Sequence, residues 1–327
     1  MTGDLAVRCP ACDAPLLSDD RFCEACGTAV AIIAAEDETC HACGAPPADR
    51  TDDGYCSRCG VRARVQPRTD LDLGIAAAVS EQGRSHHRNE DAFRLERVGE
   101  DGLVAVVCDG ISTAAAGDAA ARAAAGATAA ALTRAIRDGD DLVAATGAAV
   151  GAAHEAVELV PATTRTGRAL PSCTLVSAAW HEGVLAVGWV GDSRAYWLAP
   201  GDERQLTVDD SWATEQVAEG VLTSKEAFAD NRAHAITRWV GADAPIEAPR
   251  VATLSPATPG RLVLCSDGLW NAAPAPADLA QLIAVLGADA QPAAVAHHLT
   301  DAAVAAGSRD DITLVIADIR PRGGPQP

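Results

Sequence analysis

Cys173-Thr-Leu-Val-Ser-Ala-Ala-Trp-His-Glu-Gly-Val-Leu-Ala-Val-Gly-Trp-Val-Gly-Asp-Ser-Arg-Ala-Tyr-Trp-Leu198 decides the fold. Cys173 to Trp180, Val184 to Val190 and Arg194 to Leu198 read as three successive strands joined by short turns. Connections that short favour antiparallel pairing over a doubly wound parallel sheet. Gly74 to Ser80, Gly102 to Cys108, Arg261 to Cys265 and Ile312 to Ile319 read as further strands. Residues 112–137 and 140–160 read as long helices, with shorter ones near 276–286 and 292–306. The expected architecture is an α+β sandwich with helices outside.

Composition bounds the rest. Apolar residues make up 48% of the 327 residues, but much of that share is alanine and aromatics supply only 3%. Long alanine runs favour helix and pack thinly per residue. The net charge of -19 opposes a nucleic-acid partner, which needs clustered Lys and Arg, and suits a protein holding divalent cations. No apolar run reaches the length of a membrane span. Met1 to Arg8 has no apolar core of a secretory signal, so a cytoplasmic location is the expectation, without membrane or nucleic-acid partners.

Three regions separate along the chain. Residues 1–62 are rich in cysteine and turns, 63–70 form a short charged linker with Pro67, and 71–320 carry the strands and helices. The tail 321–327 is expected to be disordered. Eight of the eleven cysteines form CxxC pairs near the N-terminus: Cys9 with Cys12, Cys23 with Cys26, Cys40 with Cys43, and Cys56 with Cys59. Two knuckles make one four-thiolate site, so the inventory fits two structural Zn²⁺ ions. A disulfide scaffold and a redox role are the alternatives; the first lacks an oxidising context and the second a thioredoxin-like surrounding. Residues 1–60 hold Arg8, Arg21, Arg50 and Arg58 against eleven acidic side chains, a balance that favours docking a protein partner over binding nucleic acid. This segment resembles the double zinc ribbons attached to many regulatory proteins.

The larger region places carboxylates at strand ends repeatedly: Glu90 and Asp91, Asp109 before Gly110, Asp192, Asp267, then Asp310 and Asp311. Hard cations such as Mg²⁺ and Mn²⁺ take about six oxygen ligands, and a glycine after aspartate lets a carbonyl approach. One Asp-Gly is a common turn dipeptide. Several acidic strand ends in one domain point to metal.

Gly83-Arg-Ser-His-His-Arg-Asn-Glu-Asp-Ala-Phe93, Val-Cys-Asp-Gly110, Ser-Cys-Thr-Leu175, Trp-Val-Gly-Asp-Ser-Arg-Ala-Tyr196, Ile-Thr-Arg-Trp-Val-Gly241, Leu-Cys-Ser-Asp-Gly-Leu-Trp270 and Arg-Asp-Asp-Ile-Thr-Leu-Val315 occur in that order. The series resembles the motif set of the PPM, or type 2C, metal-dependent serine/threonine protein phosphatases. The resemblance implies two facing antiparallel sheets flanked by helices (α-β-β-α) with a two-metal centre at one end. It implies that Asp109 bridges two Mn²⁺ or Mg²⁺ ions, that Asp267 and Asp310 hold the first, and that Glu90 and the Gly110 carbonyl hold the second, partly through water. Asp91 would orient metal-bound waters, and Asp192 would serve a weak third metal. Two cations would then acidify a bridging water that attacks phosphorus in line, releasing serine or threonine from phosphoproteins.

Four positions depart from that pattern. His86 stands where an arginine often grips the substrate phosphate, leaving His86 and Arg88 as the candidate phosphate contacts. Ile111 replaces a histidine proposed as general acid, Asn271 an aspartate of the third metal site, and Asp311 an asparagine beside the last ligand. These changes keep a second reading open, a catalytically weak phosphatase fold that acts as a binding or sensor module. Residues 208–238 correspond to a flap expected to gate peptide access.

Overall fold

A computed structural model of the chain describes residues 56–60, 68–86, 88–114, 116–161, 170–244 and 248–321, with Val7–Arg8, Pro15–Leu16 and Ala45 nearer the N-terminus. The chain divides into two compact units, Met1–Gln66 and Pro67–Pro327.

In the first unit, β1 (Val7–Arg8) pairs antiparallel with β2 (Pro15–Leu16). Cys56 is buried against Ala45 and Cys59 is exposed. Cys9, Cys12, Cys23, Cys26, Cys40 and Cys43 lie outside the described residues, as do His87 and tail residues 322–327.

The second unit is built on two antiparallel sheets. Its strands are β3 (Arg68–Asp72), β4 (Ala76–Glu81), β5 (Asp91–Val98), β6 (Gly102–Asp109), β7 (Ser172–Cys173), β8 (Leu175–His181), β9 (Val184–Val190), β10 (Arg194–Ala199), β11 (Asp202–Gln205), β12 (Val240–Gly241), β13 (Arg250–Leu254), β14 (Gly260–Cys265) and β15 (Ile312–Ile319). One sheet runs β11-β10-β14-β15-β4-β3 and the other β13-β9-β8-β6-β5, while β12 and β7 form a separate short pair. The helices are α1 (Gly117–Asp138), α2 (Leu142–Glu158), α3 (Trp212–Ala218), α4 (Ser224–Ala229), α5 (Asp267–Trp270), α6 (Pro276–Ala284) and α7 (Pro292–Ala305).

Three apolar layers hold these elements together. Between the sheets, Trp180, Trp189 and Trp197 pack with Leu103, Leu185, Leu262 and Leu264. These tryptophans supply volume that the neighbouring Ala76, Ala78, Ala105 and Ala178 lack; burying one removes roughly 150–250 Å² of surface from water. Outside the five-stranded sheet, Ala120, Ala121, Ala124, Ala125 and Leu132 of α1 meet Val104, Val106 and Cys108. Short side chains let the helix lie close to the strands, and Asp141 caps the next helix by accepting the Ala144 N–H at 2.7 Å. Outside the other sheet, Leu279, Val295 and Leu299 cover Val263, Leu314 and Ile316. The α-β-β-α sandwich expected from the sequence is present.

Several elements differ from the sequence reading. β8 and β9 form the expected hairpin, from Leu175↔Val190 to His181↔Val184, but β10 does not pair with β9. The chain crosses at Gly191-Asp192-Ser193 to the other sheet, where β10 pairs with β14 and β11. The crossing itself carries Asp192. Arg68–Asp72, partly within the expected linker, forms an edge strand on β4, tied by Arg68 to Glu81 at 2.6 Å and to Asp301 at 2.7 Å. β5 is a strand without a strand-like sequence, because Arg94 and Arg97 face solvent at its edge position. Residues 208–238, read in the sequence only as a flap, contain α3 and α4.

Candidate metal centre

Strand direction brings the acids together. Asp91 opens β5, Asp109 closes β6, Asp267 follows β14, Asp310 precedes β15, and Asp192 lies where β9 gives way to β10. In antiparallel sheets these are all the same end of the sandwich: Asp91 stands directly across the ladder from Asp109, and Cys265 opposite both Arg194 and Leu314. Like charges directly opposite each other destabilise a sheet. Asp91 and Asp109 are such a pair.

The electrostatics are those of anions forced together. Burial, then the charges of Asp91, Asp267, Asp192 and Asp310, pushes the Asp109 carboxyl well above the ordinary range. Burial, then Asp311, does the same to Asp91. Asp192 is pushed up to about 8 by burial and by Asp267, and Asp267 to about 6 by burial and by Asp310. Asp109 and Asp267 add to each other's negative surroundings, and two ionised carboxylates so placed repel unless a proton or a cation lies between them. Asp91 Oδ2 accepts from Ser266 Oγ at 2.8 Å, yet its buried Oδ1 meets no donor among the described residues, and neither does Asp267 Oδ1. Buried oxygens without donors, in a set made only of carboxylates, fit hard divalent cations.

Gly110 follows Asp109 where no side chain fits. A Cβ there would fall 2.5 Å from the Gly117 carbonyl carbon and 2.7 Å from the Glu90 carbonyl oxygen. This contact seats the start of α1 against the strand end and holds Gly110 N–H on Glu90 O at 3.1 Å. Glu90 is half-buried beside it.

The residues expected to meet phosphate have other surroundings. Arg88 is exposed and donates to Asp118 Oδ2 at 3.2 Å, sharing that carboxylate with Arg122. His86 Nδ1 lies 2.9 Å from Asp311 Oδ2, and its Nε2 lies 3.5 Å from Asp310 Oδ1. Burial alone would lower the His86 pKa; the hydrogen bond to Asp311 and the charges of Asp311, Asp310 and Glu90 outweigh it and raise it. Asn271 does not extend the acidic set. Its amide donates to Asp267 Oδ2 at 3.3 Å, giving that carboxylate a donor where an aspartate would add charge.

Other residues shape the centre from outside the expected ligand set. Asp311 accepts the backbone N–H groups of Gly83 and Glu90, each at 2.7 Å, so its charge holds the loop that carries Glu90. Thr174 Oγ1 receives Asp109 N–H at 3.1 Å and contacts Ser193 Oγ at 2.7 Å. Arg194 forms a two-pronged pair with Asp209, with its Nη2 at 2.6 Å from Oδ2, while its guanidinium lies 3.8 Å above the Trp270 ring. His234 packs against the other residues of this corner, its ring 5.8 Å from that of Trp270. The flap is thus pinned beside Asp192.

Comparison with known proteins agrees with the fold and with the family that the sequence resembles. A family model described as protein phosphatase 2C matches residues 81–303, and one described as double zinc ribbon matches residues 9–60. The serine/threonine protein phosphatase PstP of Mycobacterium tuberculosis is 31% identical over 250 residues, covering 74% of this chain and 44% of PstP, so the chain spans less than half the length of that relative. The PPM Ser-Thr phosphatase MsPP of Mycobacterium smegmatis, solved with cacodylate, superposes with a TM-score of 0.58 at 29% identity, covering 75% of this chain and 97% of that one. The catalytic domain of PstP solved with 2 manganese ions gives a TM-score of 0.56 at 27% identity, covering 77% and 98%. With more than half of its residues matched, the chain belongs to the protein phosphatase 2C family.

Proposed function

We propose that this chain hydrolyses phosphoserine and phosphothreonine in proteins with two Mn²⁺ or Mg²⁺ ions held at the end of the sandwich. The observation that carries the reading is the pairing of Asp91 with Asp109 across the ladder, with the buried Asp91 Oδ1 and Asp267 Oδ1 meeting no donor among the described residues. Asp109, Asp267 and Asp310 would hold one cation, and Asp109, Glu90 and the Gly110 carbonyl the other, while Asp91 orients water. When bound, such cations acidify water and offset charge on the phosphoryl group. The chain's own residues fix the ligands: Thr174 holds the Asp109 backbone, Ser266 holds Asp91, and Asp311 holds Glu90. Asp192 is left for a weak third cation, and Asn271 in place of a carboxylate keeps that site poor.

Arg88 is the phosphate contact this reading retains, since it is exposed and can exchange Asp118 for an anion. His86, between two carboxylates, suits a cation better than a phosphate. The flap would gate peptide access.

The remaining assignments belong to the same proposal. The eight cysteines would hold two structural Zn²⁺ in residues 1–62, joined through residues 63–70 to a phosphatase domain that ends near residue 320, and the ribbon would dock a protein partner. No helix among the described residues is long and apolar enough to cross a membrane. A cytoplasmic location fits this reading.

The test is hydrolysis of a phosphothreonine peptide by zinc-loaded chain, with Mn²⁺, with the metal withdrawn, and with Asp267→Asn. Turnover that requires Mn²⁺ and vanishes in the variant supports the enzyme. Mn²⁺ binding without turnover would instead favour the sensor module that the changes at His86 and Asn271 allow.

A further inference from the structure

His86, Asp310 and Asp311 each present a ligand-type atom within 4.8 Å of the others. Their hydrogen bonds separate the roles of the three. Asp311 is buried and fully engaged: Oδ1 accepts Gly83 N–H at 2.7 Å, and Oδ2 accepts Glu90 N–H at 2.7 Å and faces His86 Nδ1 at 2.9 Å. A carboxylate ringed by three donors is an acceptor, so the imidazole contributes Nδ1–H to it. In the neutral ring that leaves Nε2 with its lone pair. Nε2 faces Asp310 Oδ1 at 3.5 Å, with Ser112 Oγ at 3.4 Å as its other polar neighbour. A lone pair turned toward a carboxylate oxygen is repelled unless a proton or a metal cation joins them.

We infer that His86 Nε2 is a direct ligand of the divalent cation held by Asp310, with Asp311 as the carboxylate that orients the ring, an inference that rests on the metal-dependent reading above. Donors on adjacent corners of an octahedron with bonds of about 2.1 Å are about 3 Å apart, so a small adjustment brings both atoms onto one ion. Histidines that bind metal usually donate their second ring N–H to a carboxylate or carbonyl, and Asp311 supplies that partner. The mount is stiff. Gly83 lies so close to the strand entrance that a Cβ would fall 2.3 Å from the Asp310 carbonyl carbon, and Ser85 N–H donates to Arg309 O at 3.0 Å. Asp91, more than nine-tenths buried with an Oδ1 that meets no donor among the described residues, independently marks this end of the sandwich as one that takes a cation. An imidazole nitrogen suits Mn²⁺ and later transition ions better than Mg²⁺, so His86 would make the centre discriminate between them.

The experiment uses the full zinc-loaded chain and pulsed electron paramagnetic resonance with one and then two equivalents of Mn²⁺, beside calorimetric titration of Mn²⁺ and Mg²⁺. The wild-type chain is expected to show ¹⁴N coupling from a directly bound imidazole. His86→Ala should lose it and bind Mn²⁺ roughly tenfold more weakly, with a smaller change for Mg²⁺. His86→Arg, the residue often found here in the family this chain resembles, should also lose the coupling while circular dichroism stays native. Mn²⁺ binding without ¹⁴N coupling in wild type, or coupling that survives in His86→Ala, would overturn the assignment and leave the phosphatase reading standing. Absence of any Mn²⁺ binding would remove both.

Discussion

The backbone N–H of Glu90 donates to Asp311 Oδ2 at 2.7 Å, so the position of one strand-end acid depends on a carboxylate 221 residues along the chain. The same side chain holds Gly83 and His86. Asp311→Ala strands these donors in a half-buried loop. It should lower the unfolding free energy by about 2–3 kcal/mol and weaken Mn²⁺ binding. Asp311→Asn retains one oxygen acceptor and should do less of both. Denaturant unfolding and calorimetry on the two variants would show whether that order holds.

Without divalent cation the acidic end should make the fold less stable as pH rises. Asp192 titrates at about 8 and Asp267 at about 6 in the folded chain, both above the ordinary carboxylate value. Between about pH 4 and 8 the folded chain therefore binds more protons than the unfolded one, and stability falls by up to about 1.4 kcal/mol per pH unit per group. Cation binding relieves the repulsion, so added Mn²⁺ should flatten the slope. The six tryptophans all lie at or beyond Trp180, so fluorescence-detected urea unfolding reports the second unit at each pH.

Gly260 leaves room for Trp197, whose ring atoms would lie 2.3–2.8 Å from an added Cβ. Trp197 is 1% exposed and has nowhere to move. Gly260→Ala should destabilise by about 1–3 kcal/mol, and Trp197→Phe in the same chain should recover part of the loss, a coupling that a double-mutant cycle measures.

Arg194 and Asp209 form a buried pair that ties the flap to the floor beside Trp270. Removing one partner leaves the other charge unpaired, so Asp209→Ala should cost about 3–5 kcal/mol. Arg194→Lys, which keeps the charge but loses the planar fork, should be folded with a looser flap. Its KM for a phosphopeptide should rise more than its KM for a small aryl phosphate; equal changes would argue against a gating flap.

Cys56 and Cys59 complete the second pair of knuckles, and Cys56 is buried. Cys56→Ser should reduce bound zinc from two ions per chain to one by elemental analysis, leaving tryptophan fluorescence unchanged.

Local pattern carried much of this protein into view. Short continuous apolar runs marked β6, β8, β9, β14 and β15, and aspartates at their ends marked Asp109, Asp192, Asp267 and Asp310, because a strand and its terminating acid are written consecutively. Paired CxxC knuckles were legible for the same reason. β5 was not, since Arg94, Glu96 and Arg97 interrupt its apolar pattern and its strand form depends on pairing with β6. The departure of β10 from β9 was equally hidden, because a short turn reads alike whether the chain returns to its own sheet or crosses to the facing one. The side-chain roles were decided later still. Arg88 meets a carboxylate 30 positions along the chain and His86 one that is 225 away, and such partners exist only once two sheets have packed and turned their acidic ends to one place.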